Sequence, residues 1–210
     1  MTQINDSLNW RYATKAYNTN KKLTEDQVNT LIESIRLSPS SYGLQPYKVI
    51  DVETPEIREK LKAAAWNQTQ ITDASQLLVF AVPTDLSDQH VDTFIENVSK
   101  TRVVTVESLK EYSDMIKGPI NSRTPDQRKE WSAKQAYIAL GILLKTAADM
   151  QVDSTPMEGF DSVQFDDILG LKEKNLTSVV ACTLGYRSED DIYAKLTKVR
   201  VSKDDLIIKI

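Results

Sequence analysis

Residues 33–52, ESIRLSPSSYGLQPYKVIDV, carry the reading that decides the fold. Upstream, Val28, Leu31, Ile32 and Ile35 fall at helical spacing, which predicts an amphipathic helix over 25–37. Thr24 and Gln27 supply a capping box for its start. Downstream, YKVIDVE at 47–53 reads as a strand. Between them SPSSYGLQP is a polar loop stiffened by proline, with an aromatic at its centre. A loop of this kind between two core elements either turns the chain or holds a ligand against it.

Outward from this stretch, helices and strands continue to alternate. Residues 4–9 form a short opening helix. Thr54–Pro55 reads as an N-cap followed by proline at the first helical position, opening a helix to about Trp66. LLVFAV at 77–82 and TSVVACTLG at 177–185 are apolar runs of strand length, as expected of inner strands. Val91, Phe94, Ile95 and Val98, continued by Leu109, Tyr112 and Ile116, predict one long helix over about 88–113, with Pro119 and Pro125 bracketing a loop. Trp131–Met150 is the strongest helix, apolar on every side at its centre and so buried all round. Gly141 there is a candidate for a close backbone contact. DSTPMEGF at 153–160 reads as a loop in which Gly159 supplies a positive φ. A helix over 161–169 ends at Gly170 as its C′ residue. The tail, 205–210, reads as a terminal strand in need of a partner edge, which a second subunit supplies. With no repeat or linker, residues 1–210 are expected to form one α+β domain, a small sheet inside helices.

Composition restricts the chemistry. Charges are mixed, with a net −4 and no basic block suited to nucleic acid. The N-terminal MTQINDSLNWRYATK lacks the apolar core of a signal peptide, and AYIALGILL at 136–144 is too short to span a bilayer. A lone cysteine, Cys182, fits a reducing cytoplasm. One histidine and one cysteine leave no Cys/His zinc set, and no metal site is expected. A Ser–His–Asp triad would have to use His90, and no GxSxG, GxGxxG or P-loop occurs. If this chain is an enzyme, its hard chemistry is expected to come from a bound cofactor rather than from a side chain.

Short polar elements sit beside buried ones at 11–15 (RYATK), 38–46, 156–159 (PMEG) and 198–200 (KVR). Arg11, Lys15, Lys198 and Arg200 either converge on one phosphate or other anion, or are ordinary solvated charges. Asn67 and Gln70, in WNQTQI, either hydrogen-bond a ligand or simply end a helix.

Taken in order, RYATKAY (11–17), SPSSYGLQPY (38–47), NQTQ (67–70) followed by DAS (73–75), WSAKQAY (131–137), PMEGF (156–160), GLKEKN (170–175) and KVR (198–200) resemble the oxygen-insensitive nitroreductase family. The resemblance runs from about residue 8 to 201. It implies an α+β nitroreductase-like fold with a small, mainly antiparallel mixed sheet surrounded by helices, and a cytoplasmic homodimer that exchanges its C-terminal strand. It further implies FMN at the dimer interface, with NADH or NADPH as electron donor. Arg11, Lys15, Lys198 and Arg200 match basic positions around the FMN phosphate and the pyrimidine edge, with Tyr12 and Ala13 as the backbone between them. Many members carry serine at the Ala13 position, where its hydroxyl helps hold the phosphate. Ser40 matches a residue presented by the other subunit. Asn67 matches an isoalloxazine contact, and Gln70 a position near flavin O2 where some members carry lysine. Pro156, Glu158 and Gly159 match the turn whose backbone N–H approaches flavin N5. Tyr42, Asn67 and Gln70 are the expected substrate contacts, with Tyr42 at the mouth. The implied activity is two-electron transfer by ping-pong from NAD(P)H to nitroaromatics, quinones or similar acceptors, with no catalytic side chain beyond the flavin. A non-catalytic flavin-binding or sensing protein is the second reading.

Overall fold

The computed structural model describes residues 3–210. Helix α1 (Gln3–Trp10) opens the chain, and α2 (Glu25–Arg36) follows. The Thr24 hydroxyl accepts the Gln27 N–H while the Gln27 side chain returns to the Thr24 backbone, closing the expected capping box. Strand β1 (Lys48–Asp51), helices α3 (Pro55–Ala63) and α4 (Gln70–Asp73), and strand β2 (Gln76–Pro83) come next. Helices α5 (Asp88–Arg102), α6 (Lys110–Asn121) and α7 (Pro125–Asp149) then precede β3 (Asp153–Met157), α8 (Ser162–Ile168), β4 (Leu176–Gly185) and a final turn of helix, α9 (Lys203–Leu206).

The strands form a four-stranded sheet in the order β1-β2-β4-β3, antiparallel throughout. One parallel bridge, Ala13 to Ser154, lays the 11–17 segment along the outer edge of β3. Side chains alternate across the sheet, as strand geometry requires. Leu78, Phe80, Val82, Val180, Cys182 and Leu184 pack with α2 and α7 on one face. Leu77, Val79, Ala181 and Met157 pack with Leu61, Ile71 and Phe165 on the other. This two-sided burial explains the unbroken apolar run of β2. A further cluster joins Leu44 to α5 and α6 through Val91, Ile95, Ile116 and Ile120.

The structure corrects several expectations. Residues 153–157 are a strand, not a loop. The expected helix over 88–113 is two helices, broken where Val103 takes the left-handed conformation (φ 55°). Pro119 lies in the last turn of α6, so the break between α6 and α7 is confined to 122–124. Gly170 has the expected positive φ of 62°, but Gly159 does not; its lack of a side chain serves a close approach instead. The 205–210 tail pairs with no strand in the single chain and leaves Leu206, Ile207, Ile208 and Ile210 exposed. Among the described residues, no helix is long and apolar enough to cross a membrane.

Candidate functional site

Two groups of side chains flank β3. At its start, buried polar residues fasten the 11–17 segment in place. Asp191 Oδ2 accepts the N–H groups of Lys15 at 2.7 Å and Ala16 at 3.2 Å, together with the Tyr12 hydroxyl at 3.0 Å. Asp153 accepts the Thr14 hydroxyl at 3.3 Å and Arg187 Nε at 2.8 Å. Arg187 also lies over the rings of Trp10 and Tyr12, at 4.3 and 4.6 Å from their centroids. Thr155 donates its hydroxyl to Thr14 O at 2.6 Å.

This fastening gathers cations. Lys198 Nζ donates to the carbonyls of Leu8 and Arg11, satisfying acceptors at the C-terminal end of α1. Burial lowers the proton affinity of the Lys198 ammonium, and the charges of Arg11 and Arg200 lower it further. Burial likewise lowers that of the Arg11 guanidinium; proximity to the Cys182 thiol opposes this and the Arg200 charge adds to it. Arg11, Lys198 and Arg200 thus share one neighbourhood, and among the described residues none of them is ion-paired to a carboxylate. The Nε of Arg11 is buried without a hydrogen-bond partner. Like charges gathered in partial burial with no counter-charge favour an anion. Lys15 is exposed; only its backbone is anchored, and no side-chain contact joins it to the other cations.

At the other end of β3 the chain turns at Glu158–Gly159. The two ends are about 13 Å apart, four steps from Ser154 to Glu158 at ~3.3 Å per residue. A Cβ on Gly159 would lie 3.1 Å from Gln68 Nε2 and 3.3 Å from the Trp66 ring, a tight fit that the absence of a side chain relieves. Gln68 Nε2 donates to Gly159 O at 2.7 Å, binding the 66–68 turn to this one. Trp66 and Asn67 both have positive φ, 52° and 59°, in the turn that Gln68 binds to Gly159, and Asn67 is exposed. The Gly159 N–H donates to no group of the chain among the described residues. Gln70 is buried in α4, and its side chain bonds to none of the other candidate residues.

Tyr137, on α7, donates its hydroxyl to Glu158 Oε1 at 2.6 Å. Burial, and then this bond to the carboxylate, push the phenol above its ordinary range. Tyr137 and Glu158, with Leu140, Gly141, Pro156 and Met157, line a groove of about 430 Å³. A Cβ on Gly141 would meet nothing within 4 Å, so this glycine makes no close backbone contact. A larger cavity, about 910 Å³, lies elsewhere, lined by Leu44, Tyr47, Ile50, Leu86, Phe94 and Leu171 among others. It holds none of the candidate cofactor residues, so size alone does not locate the site.

The 38–46 loop is not joined to either group within one chain. Ser40 Oγ accepts the Gln45 N–H at 2.9 Å, and Ser41 N–H donates to Gln135 Oε1 at 2.8 Å. Tyr42 is left-handed (φ 59°), and its carbonyl accepts the Tyr112 hydroxyl at 3.0 Å. Sequence reasoning passed over Asp153, Arg187, Asp191 and Tyr137. Asp191 carries a local signal, since its Oδ1 accepts the Tyr193 N–H at 3.0 Å and caps the turn that follows.

Residues 8–186 match a model described as the nitroreductase family. A protein of Staphylococcus saprophyticus whose name proposes an NAD(P)H nitroreductase is 35% identical over 99% of this chain and 98% of its own. Among solved structures, a Bacillus subtilis protein named for nitroreductase superposes with a TM-score of 0.88 at 19% identity, covering 99% of each chain. An Exiguobacterium sibiricum protein, named for nitroreductase and solved in complex with FMN, superposes at 0.82 and 17% identity, covering 100% of this chain and 98% of its own.

Proposed function

This chain belongs to the nitroreductase family, and we propose that it is an FMN-dependent oxidoreductase that passes two electrons from NAD(P)H to a small conjugated acceptor. The observation that carries the reading is the arrangement along β3. Cations without a counter-charge stand at one end, a turn with a free N–H stands at the other, and the distance between them suits an extended cofactor.

Arg11, Lys198 and Arg200 would hold the FMN phosphate, and the strap anchored by Asp191 keeps Arg11 and Lys15 in register with β3. Asn67, Gln70 and Lys15 would meet the polar edges of the ring, and Pro156, Glu158 and Gly159 its central edge. When bound, FMN supplies hydride acceptance at N5 and onward delivery of both electrons. The Gly159 N–H would orient that atom, and the Lys15 charge and the Gln70 amide would stabilise the negative charge that develops on the ring. Tyr137 holds Glu158 in place beside the groove. NAD(P)H and acceptor then occupy one cleft in turn, which is ping-pong kinetics. Nitroaromatics and quinones are the acceptors this reading expects.

The reading also requires a homodimer, since Ser40 and Tyr42 lie apart from the other candidate residues in one chain. Supporting it, Val199, Ile208 and Ile210 are exposed at the C-terminus. Strand β1 has an open edge, flanked by the apolar cavity that Tyr47 and Ile50 line. A partner's tail would cover both. The test is steady-state kinetics with NADPH and a quinone, alongside sedimentation of the full chain and of a chain ending at Val201. Parallel double-reciprocal lines and a dimer lost on truncation are expected. Intersecting lines, or a full-length monomer that turns over, would overturn the corresponding part.

A further inference from the structure

Two polar atoms near the cation cluster are buried and make no hydrogen bond: Arg11 Nε and Ser154 Oγ. Leaving such an atom unpaired is costly, so a matched pair of them in one neighbourhood calls for an explanation. Arg11 Nε–H can only donate, whereas a serine hydroxyl can accept. They are complementary.

The topology places them on one side of the sheet. Ser154 is the bridge partner of Ala13, two residues after Arg11. Within the ladder Ser154 pairs with Leu184, and Pro156 with Cys182, so Ser154, Pro156, Cys182 and Leu184 share a face. Arg11 stands near that face: it lies two residues before Ala13 on the strap bridged to Ser154, and its charge opposes the rise that burial causes in the Cys182 thiol. Ser154 is 1% exposed and presents no open surface in the single chain. It can face Arg11. Ala13, the strap residue bridged to Ser154, has no hydroxyl to offer.

We infer that Ser154 is the positioning residue for Arg11: when the guanidinium fork engages the cofactor's phosphate, its Nε–H is received by the Ser154 hydroxyl, which fixes the plane of the fork. The inference rests on the reading of Arg11 as a phosphate ligand. A guanidinium aimed this way presents its two terminal nitrogens together, the geometry that suits bidentate binding of an anion.

The test is a double-mutant cycle on the full-length apoprotein, titrated with FMN and separately with riboflavin, which lacks the phosphate. Ser154→Ala is expected to weaken FMN about tenfold, to leave riboflavin within about twofold, and to leave the apoprotein's melting temperature unchanged or slightly raised. Ser154→Cys, close in size and a poor acceptor, gives the same loss. Arg11→Ala and Arg11→Ala/Ser154→Ala bind FMN equally weakly, because Ser154 acts only through Arg11. If Ser154→Ala binds FMN normally while Arg11→Ala does not, the inference fails and the phosphate reading stands. Additive losses, or equal losses for FMN and riboflavin, also overturn it. If Arg11→Ala binds FMN normally, the phosphate reading fails and the inference with it.

Discussion

The carboxylate of Asp191 accepts the backbone N–H of Lys15 at 2.7 Å, joining positions 176 residues apart. The same residue, 2% exposed, holds Tyr12, Ala16 and Tyr193, so one buried side chain ties four points of the chain and, with Asp153 and Thr155, fixes the strap carrying Arg11 and Lys15. Burial alone would raise the Asp191 carboxyl; the N–H groups of Lys15 and Ala16, the Tyr12 hydroxyl and the Tyr193 N–H outweigh it and hold it below the usual range. Because the folded value is depressed, its contribution to stability is present above the ordinary aspartate value of about 3.9 and is lost as pH falls through the folded value. Asp191→Asn is expected to cost about 2 kcal/mol at neutral pH, read as a lower urea midpoint. The gap between the two proteins should close in acid below pH ~4. Equal midpoints at neutral pH contradict the strap's role.

The bond from Tyr137 to Glu158 fixes the turn that faces the groove. Tyr137→Phe is expected to change FMN affinity less than about threefold. The anaerobic rate of flavin reduction should fall about tenfold, the effect of one charge-assisted hydrogen bond. Stopped-flow absorbance measures both, and an unchanged rate removes Tyr137 from the mechanism.

Lys198 and Arg200 are predicted to separate. Lys198 caps α1, so Lys198→Ala should weaken FMN and also lower apoprotein stability by about 1 kcal/mol. Among the described residues, the Arg200 side chain bonds to the neighbouring Val199 carbonyl alone, at 2.6 Å. Arg200→Ala should therefore weaken FMN about tenfold with the apoprotein's melting temperature unchanged. Calorimetry with FMN titration distinguishes the pair, and a destabilised Arg200→Ala apoprotein would contradict the assignment.

Val103 ends α5 in the left-handed region while 91% exposed, so a β-branched residue bears backbone strain with no packing to offset it. Val103→Gly is expected to stabilise the protein by about 1 kcal/mol, read from the denaturation midpoint. A destabilised variant would mean that the valine side chain contributes packing.

Much of this fold was legible from periodicity. The α2 capping box, the apolar runs of β2 and β4, and Gly170 after α8 all stand as their local signals imply. Strand β3 was hidden because Pro156 and its polar neighbours read as punctuation. The register explains the proline: β3 is the outermost strand of the sheet, where a missing donor is tolerated. The break at Val103 was hidden for the opposite reason, since a β-branched patch gives no cap signal. Of the candidate site, the family-like motifs named Arg11, Lys198 and Arg200, which share one neighbourhood beside the start of β3, and Gly159, which turns the chain at its other end. Asp153, Asp191, Arg187 and Tyr137 were missed because their roles rest on partners distant in sequence. Ser40 and Tyr42 lie in the 38–46 loop, which is not joined to either group within one chain.

The central claim is best tested by the visible spectrum of the purified protein during anaerobic addition of NADPH or NADH, followed by a quinone. The account predicts a flavin spectrum that bleaches on addition of the nucleotide and returns with the quinone. A protein that stays colourless after incubation with FMN would contradict the cofactor assignment. A flavin spectrum that neither nucleotide bleaches would contradict the assignment of an oxidoreductase and leave a flavin-binding protein on the same fold.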